Sequence, residues 1–291
     1  MLDFLNQTVS SALLLEWGET LDFWVFVAAF GLLGVELGRY ALKRRLTWNL
    51  LGDALANYVT LALFFVTLFL IGALYVGGFY LVYENFALFE IPTAPWSVAL
   101  AIVLADLAYY WEHRFSHRVG IGWMTHTVHH SSPHFNLSVA NRFGPLDGVF
   151  PFIFHAPLVL IGFHPLLVLF AEGIVLTYQT WLHTEAIKKL PKPIEAVMNT
   201  PSHHRVHHGR NPQYMDKNYG GVLIVWDKLF GTFAEEREKV DYGVTEPINS
   251  INPLVVWFHG FGRLAKKMRG APDWRTKLAC LWRPPDWEAG R

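Results

Sequence analysis

The sequence predicts an all-α fold: an integral membrane helical bundle of about three spans plus a helical hairpin, with a histidine-rich di-metal helical cap on the cytoplasmic side. Three observations carry this expectation. First, 52% of the 291 residues are hydrophobic, and 22 Phe, 12 Trp and 11 Tyr are more than an ordinary soluble domain carries. Second, Lys and Arg are absent before Arg39, between Arg45 and Arg114, and from Phe143 to Ile187, while 17 of the 24 follow that last gap. Basic blocks alternating with apolar runs are the pattern of a multi-pass membrane protein. Third, eight of the 14 histidines stand in three boxes of regular spacing.

The elements follow in chain order. "LDFWVFVAAFGLLGVELGRY" (21–40) is apolar over the length needed to cross about 30 Å of hydrocarbon. It lies too far from the start, and lacks the basic flank, to be a cleaved signal peptide. The basic group Arg39–Arg45 behind it places that end in the cytoplasm and the acidic N-terminus outside. "NYVTLALFFVTLFLIGALYVGGFYL" (57–81) returns outward, and the connection 83–95, which has no Lys or Arg, lies outside. "WSVALAIVLADLAYYWEHRFSH" (96–117) crosses inward and delivers His113 and His117 to the cytoplasmic face. The apolar stretch 147–183 breaks near Gly162–Pro165 into two halves of marginal length, a hairpin or re-entrant pair. On this topology every Lys and Arg is on the inner side. The chain reads as one domain, with 1–95 a membrane anchor region, 96–236 the histidine-box core and 237–291 a cytoplasmic or interfacial tail mixing aromatics with Lys and Arg.

A formal net charge of zero gives no reason to expect a nucleic-acid partner. The single Cys280 excludes an internal disulfide and any multi-cysteine metal site. The histidines are more informative. "HRFSH" sets His113 and His117 at i, i+4; "HTVHH" sets His126, His129 and His130 at i, i+3, i+4; "HRVHH" repeats that spacing with His204, His207 and His208. Residues three and four apart share a helical face, so each box is expected to present its imidazoles in one direction. His183 sits where the hairpin re-enters the same interface, and His203 stands open as a ligand or as a donor to one. His155 and His164, deep in the hairpin, read as structural or substrate-contacting. Eight or nine imidazoles exceed what one ion takes, so the count implies two metals. An all-nitrogen shell without Cys suits iron, zinc or copper. H-E-x-x-H is absent, which argues against a metalloprotease. A transporter would hold its ligands near the midplane rather than at one interface. Asp106 and Glu172 are carboxylates inside apolar helices, costly there and expected to orient a ligand histidine.

The boxes H-x3-H, H-x2-H-H and H-x2-H-H resemble those of the fatty acid hydroxylase/sterol desaturase superfamily of integral membrane di-iron enzymes. Three residues inside the first box point to its hydroxylase side. "HHSSPHFNLSVANR" (129–142), "YQTWLHTEAI" (178–187) and "NTPSHHRVHHGRNPQYMDKNYGGVLIVWDKLFGTF" (199–233) look like stretches of its ether-lipid-cleaving branch, a likeness running from Tyr109 to Glu236. The resemblance implies metal binding by His113, His117, His126, His129, His130, His183, His204, His207 and His208, with His203 provisional, and puts Asp216, Asn218 and Tyr219 near the site. It implies two ferrous ions, O2, a lipid substrate drawn from the bilayer, and hydroxylation beside an ether oxygen, giving a hemiacetal that breaks down to an aldehyde. It also implies a separate reductant, either tetrahydrobiopterin or a cytochrome b5- or ferredoxin-type donor. Hydroxylation or desaturation of a fatty acyl chain, a sterol or hopanoid, or an amino-lipid is the alternative, and a non-catalytic membrane metal-binding or transport protein is the alternative of another class. Oligomeric state stays open. The ending "WEAGR", without an obvious retention signal, favours a bacterial inner membrane over the endoplasmic reticulum.

Overall fold

The computed structural model describes residues 7–288; the first six residues and the last three of "WEAGR" lie outside them. The described chain is helical throughout, with two isolated β-bridges and no strand. In chain order the helices are α1 (Ser11–Leu42), α2 (Trp48–Phe86), α3 (Pro95–Arg118), α4 (Gly120–His130), α5 (Phe150–Ile161), α6 (Pro165–Gln179), α7 (Lys192–Val197), α8 (Pro201–His207), α9 (Val225–Phe230), α10 (Pro253–Gly270) and α11 (Trp274–Trp282). Their starts are written locally. The side chains of Ser10, Thr47, Thr200, Asn252 and Asp273 each accept a backbone N–H of the first turn, and proline opens α3, α6, α8 and α10.

Helices α1 and α2, at 32 and 39 residues, are long and apolar enough to cross a membrane. Their outward faces are apolar as well, with Trp24 62%, Phe69 86% and Leu74 77% exposed, which suits contact with lipid. The third helix of sufficient length and apolarity runs from Pro165 to Leu182, not along α3. The expected span 96–117 matches α3 to within a residue or so. Its second half, "YYWEHRFSHR", is too polar, and Ala101, Ala105, Asp106, Tyr110, His113 and His117 are buried within the bundle. The hairpin is unequal, because α5 has only 12 residues, about 18 Å of helix. Gly162 turns the chain at φ +125°, and a Cβ there would lie 2.0 Å from the Phe89 carbonyl oxygen, so only glycine fits.

Two ends of the bundle can be told apart by what they hold. At one, Val9 donates to Thr93 O, Leu88 to Leu160 O and Ile91 to Gly162 O. At the other, four long-helix ends meet the histidine segments. Glu36 of α1 accepts from Leu137 N (2.9 Å) and Thr184 Oγ1 (2.7 Å), and Asn57 of α2 donates to Ser138 Oγ (2.8 Å). The last turns of α3 and α6 carry His113, His117 and Gln179. The apolar core of Phe79, Ala101, Ala105, Val159, Leu167, Val168, Ala171 and Val175 lies between the two ends. The tail packs on the histidine-box core: α10 lies on α4 with Val256, Trp257 and Gly260 buried, and a Cβ on Gly260 would stand 1.9 Å from Met124 O.

Candidate metal centre

Nine of the ten sequence-selected histidines converge into two groups of nitrogen donors. His113, His117, His126, His130 and His207 form one group, and His129, His183, His204 and His208 the other; within each group the donor atoms lie within 4.8 Å of one another, close enough to hold a metal ion. Each H-x2-H-H box is divided between the groups. His126 and His130 enter the group of five while His129 enters the group of four; His204 and His208 enter the group of four while His207 enters the group of five. The expectation that each box points one way is therefore corrected. Adjacent helical residues are turned about 100° from each other, so a His–His doublet serves two centres, and the i, i+4 pair stays together. The two groups touch through stacked rings of His130 and His208, with centroids 4.3 Å apart.

The rings are aimed by backbone carbonyls. Nδ1 of His113 lies 2.9 Å from Tyr219 O, that of His129 3.1 Å from Arg142 O, that of His183 3.0 Å from Gln179 O and that of His207 3.0 Å from Lys217 O. A carbonyl only accepts, so each Nδ1 carries the proton and each Nε2 presents a bare lone pair. In both groups the Nε2 atoms face one another, and in the His129–His183 contact both rings are so held that two bare lone pairs meet. Nε2–Nε2 separations are 3.1 Å for His113–His126, 3.2 Å for His126–His130 and His129–His183, 2.9 Å for His183–His204 and 3.2 Å for His204–His208. Nε2 of His117 and of His207 is buried without a hydrogen-bond partner. Two acceptors in contact repel unless a cation lies between them. Two nitrogens about 2.1 Å from one ion at right angles would stand about 3.0 Å apart, so the residues fit a metal centre.

Burial foremost, then the neighbouring imidazoles, holds His126, His130, His204, His207 and His208 well below the usual imidazole range, and burial takes His129 down to about 4. The folded chain thus keeps these rings neutral, the form that ligates. The unfolded chain takes up protons on them below about pH 6.5, whereas the folded chain resists protonation well below that, down to about pH 4 at His129. Metal-stripped protein is accordingly expected to lose thermal stability as the pH falls from about 6.5 to 4. A melting temperature independent of pH across that window would contradict this account.

The other candidates fall into place around the rings. His203 is corrected: it belongs to neither group, and its Nε2 lies 3.0 Å from Glu195 Oε2. Asp106 orients no histidine directly. Its carboxylate accepts from Val222 N (2.6 Å), Leu223 N (3.0 Å) and Trp226 Nε1 (2.8 Å), and so anchors the loop whose Tyr219 carbonyl aims His113. Glu172 is likewise away from the rings and accepts from Tyr75 OH at 2.9 Å. Asp216 and Asn218 take positive φ, 60° and 58°, in the loop after α8. Asp216 pairs with Arg118 and faces His117 Nδ1 at 3.8 Å. Asn218 is fully buried, donating to His203 O and Ala234 O and accepting from Ala234 N. The Tyr219 ring stands 5.8 Å from His113 and 5.2 Å from His117.

Three supports escape a reading by spacing. Arg142, 1% exposed, reaches Asp53 Oδ1 (3.0 Å), Asn57 Oδ1 (2.6 Å), Ser131 Oγ and Val128 O, tying the end of α4 to α2 behind His129. Asp227 accepts from Tyr219 N and Gly220 N and from Thr232 Oγ1. Phe135 lies 5.1 Å from the His208 ring and stacks on Tyr242. Arg142 and Asp53 are isolated charges in apolar context, the one signal the sequence held for them. Gly221 is needed for close approach: a Cβ would stand 2.7 Å from Asp106 Oδ1 and from Val175 Cγ1. Gly221→Ala is expected to cost about 1–3 kcal/mol in unfolding free energy, read from denaturant titration in detergent. A neutral result would show that the loop relaxes freely.

Residues 98–232 match the fatty acid hydroxylase family model. The chain is 44% identical to human alkylglycerol monooxygenase over 211 residues, 72% of this chain and 47% of that protein. It is 42% identical to the Danio rerio alkylglycerol monooxygenase over 217 residues, 74% of this chain and 48% of that one. An ornithine lipid hydroxylase of Rhizobium tropici is 31% identical over 151 residues, 51% of this chain and 45% of that protein. The chain thus spans about half the length of the curated relatives it matches. No solved structure matches it.

Proposed function

We propose, from the match of residues 98–232 to the fatty acid hydroxylase family model, that the chain belongs to that family and is a membrane-bound di-iron monooxygenase hydroxylating a lipid C–H bond, an alkylglycerol-type ether lipid foremost. The observation that carries this is the pair of imidazole groups, five and four, with their ring nitrogens turned toward one another. His113, His117, His126, His130 and His207 would hold one iron, and His129, His183, His204 and His208 the other. When bound, the pair of ferrous ions supplies activation of O2, chemistry that no side chain provides.

The chain's own part is positioning and exclusion of water. Backbone carbonyls hold His113, His129, His183 and His207 in one tautomer, so at these rings no proton need leave before a ligand bond forms. The buried rings close the centre to bulk solvent, while the exposed apolar faces of α1 and α2 leave the bundle in reach of lipid. Hydroxylation of the carbon beside an ether oxygen consumes O2, two electrons and two protons and releases water. The resulting hemiacetal collapses to an aldehyde and an alcohol. The reductant is external: tetrahydrobiopterin, or a cytochrome b5- or ferredoxin-type donor. We place the histidine end in the cytoplasm, supported by Arg39–Arg45 at the end of α1 and the 17 basic residues after Ile187.

The test is metal analysis together with aldehyde release from an alkylglycerol under O2 and each reductant in turn. About two irons per chain, with O2-dependent aldehyde, is the expected result. A hydroxylated acyl product or amino-lipid without aldehyde would reject the ether-lipid substrate. Zinc alone, with no O2 uptake, would reject the enzyme.

A further inference from the structure

Beside the histidine end, a cleft of about 300 Å³ is lined by Glu36, Arg39, Tyr40, Lys43, Arg45, Glu185, Ala186, Lys188 and Lys239. From its lining we infer that this cleft binds a compact phosphate-bearing anion. Five cations face two carboxylates, an excess of three positive charges, and both carboxylates also accept hydrogen bonds from neutral groups. Glu36 accepts from Leu137 N and Thr184 Oγ1, and Glu185 accepts from Tyr242 OH at 3.3 Å. Among the described residues, none of the five cations makes a side-chain hydrogen bond or an ion pair. Like charges in excess around one concavity repel, and an anion with several oxygens relieves that repulsion while accepting from Lys and Arg.

The bland account is that basic residues gather at the inner ends of membrane helices. It covers Arg39, Lys43 and Arg45, in the last turn of α1 and just beyond it, but not the convergence of Lys188 and Lys239 from two distant segments onto the same cleft. The volume is at the lower end for small-molecule sites, which suits one headgroup rather than a bulky ligand. Two sources offer this chemistry. In a phospholipid the phosphate would enter the cleft while the acyl chains ran along the apolar flank of α1, where Val35 is 70% and Leu42 89% exposed. The other source is a free phosphate compound of the aqueous phase. The site is independent of the metal centre, although its floor residue Glu36 bonds Thr184, the neighbour of His183.

The test uses the full chain in an uncharged detergent, titrated with short-chain phosphatidylglycerol, short-chain diacylglycerol and inorganic phosphate. Binding is read by calorimetry and by the ligand-dependent rise in melting temperature. The variant is Lys43→Gln/Lys188→Gln/Lys239→Gln, three solvent-exposed positions whose replacement leaves the core untouched. The control, Lys192→Gln/Lys266→Gln/Lys277→Gln, removes the same charge elsewhere. Saturable binding of phosphatidylglycerol, at least about tenfold weaker in the cleft variant and unchanged in the control, is expected. If inorganic phosphate binds saturably and with the same dependence, the source is a soluble phosphate. The inference is overturned if neither phosphate compound saturates, if diacylglycerol binds equally well, or if both triple variants lose binding alike.

Discussion

His204→Ala is expected to halve the iron content, from about two per chain to about one, and to lower lipid oxidation by at least about 100-fold. His204 stands 2.9 Å from His183 and 3.2 Å from His208 through Nε2 atoms, so its loss leaves the group of four with three ligands, while the group of five keeps all of its own. Removing even a partner behind a ligand commonly costs 10–100-fold in affinity or activity, and loss of a ligand itself costs more. The neighbouring His203→Ala is the discriminating companion. That ring is bonded to Glu195 and outside both groups, so both irons are retained. Metal analysis of the two purified variants decides the matter. Equal iron loss in both, or none in His204→Ala, would refute the assignment of this ring.

Arg142→Met is expected to produce the largest loss of stability, about 3–5 kcal/mol. The guanidinium is buried against Asp53, itself 2% exposed, and holds Asn57, Ser131 and the Val128 carbonyl as well. Removing it strands a carboxylate in the bundle, and an unpaired buried charge is the expensive outcome. The double variant Arg142→Met/Asp53→Asn removes both charges and is expected to recover part of the loss. Thermal unfolding of the three proteins is the measurement, with iron content as a second readout, since the Arg142 carbonyl aims His129. An unchanged melting temperature in Arg142→Met would show that the network is not a stabilising element.

The helical class and the positions of the five apolar helices were legible because each has a local cause. Apolar runs of span length and the Ser, Thr, Asn and Pro residues at helix starts act over a few positions, and α3 falls within a residue or so of the segment read from the pattern. Which apolar helix suffices to span was less legible. α3 and the Pro165–Leu182 stretch exchange roles because the polar half of α3 is paid for by burial against neighbours distant in the chain. The same holds for the supports. Asp53 to Arg142 spans 89 positions, and Asp106 to Val222 spans 116. No periodicity records a hydrogen bond across such separations.

For the histidines the division is sharper. Spacing alone picked out eight rings, and with His183 their number pointed to two ions, since imidazoles at i and i+4 share a face of any helix. It could not say which ring belongs to which group, because that depends on where α4 and α8 stand relative to α3 and His183. Packing decided it: the helices meet so that each His–His doublet straddles the two centres, and His203 turns to Glu195 instead. The chain's local chemistry chose the donors, and the long-range contacts of Asp106, Arg142 and Asp227 aimed them, for a lone pair has a direction only once its ring is held from behind.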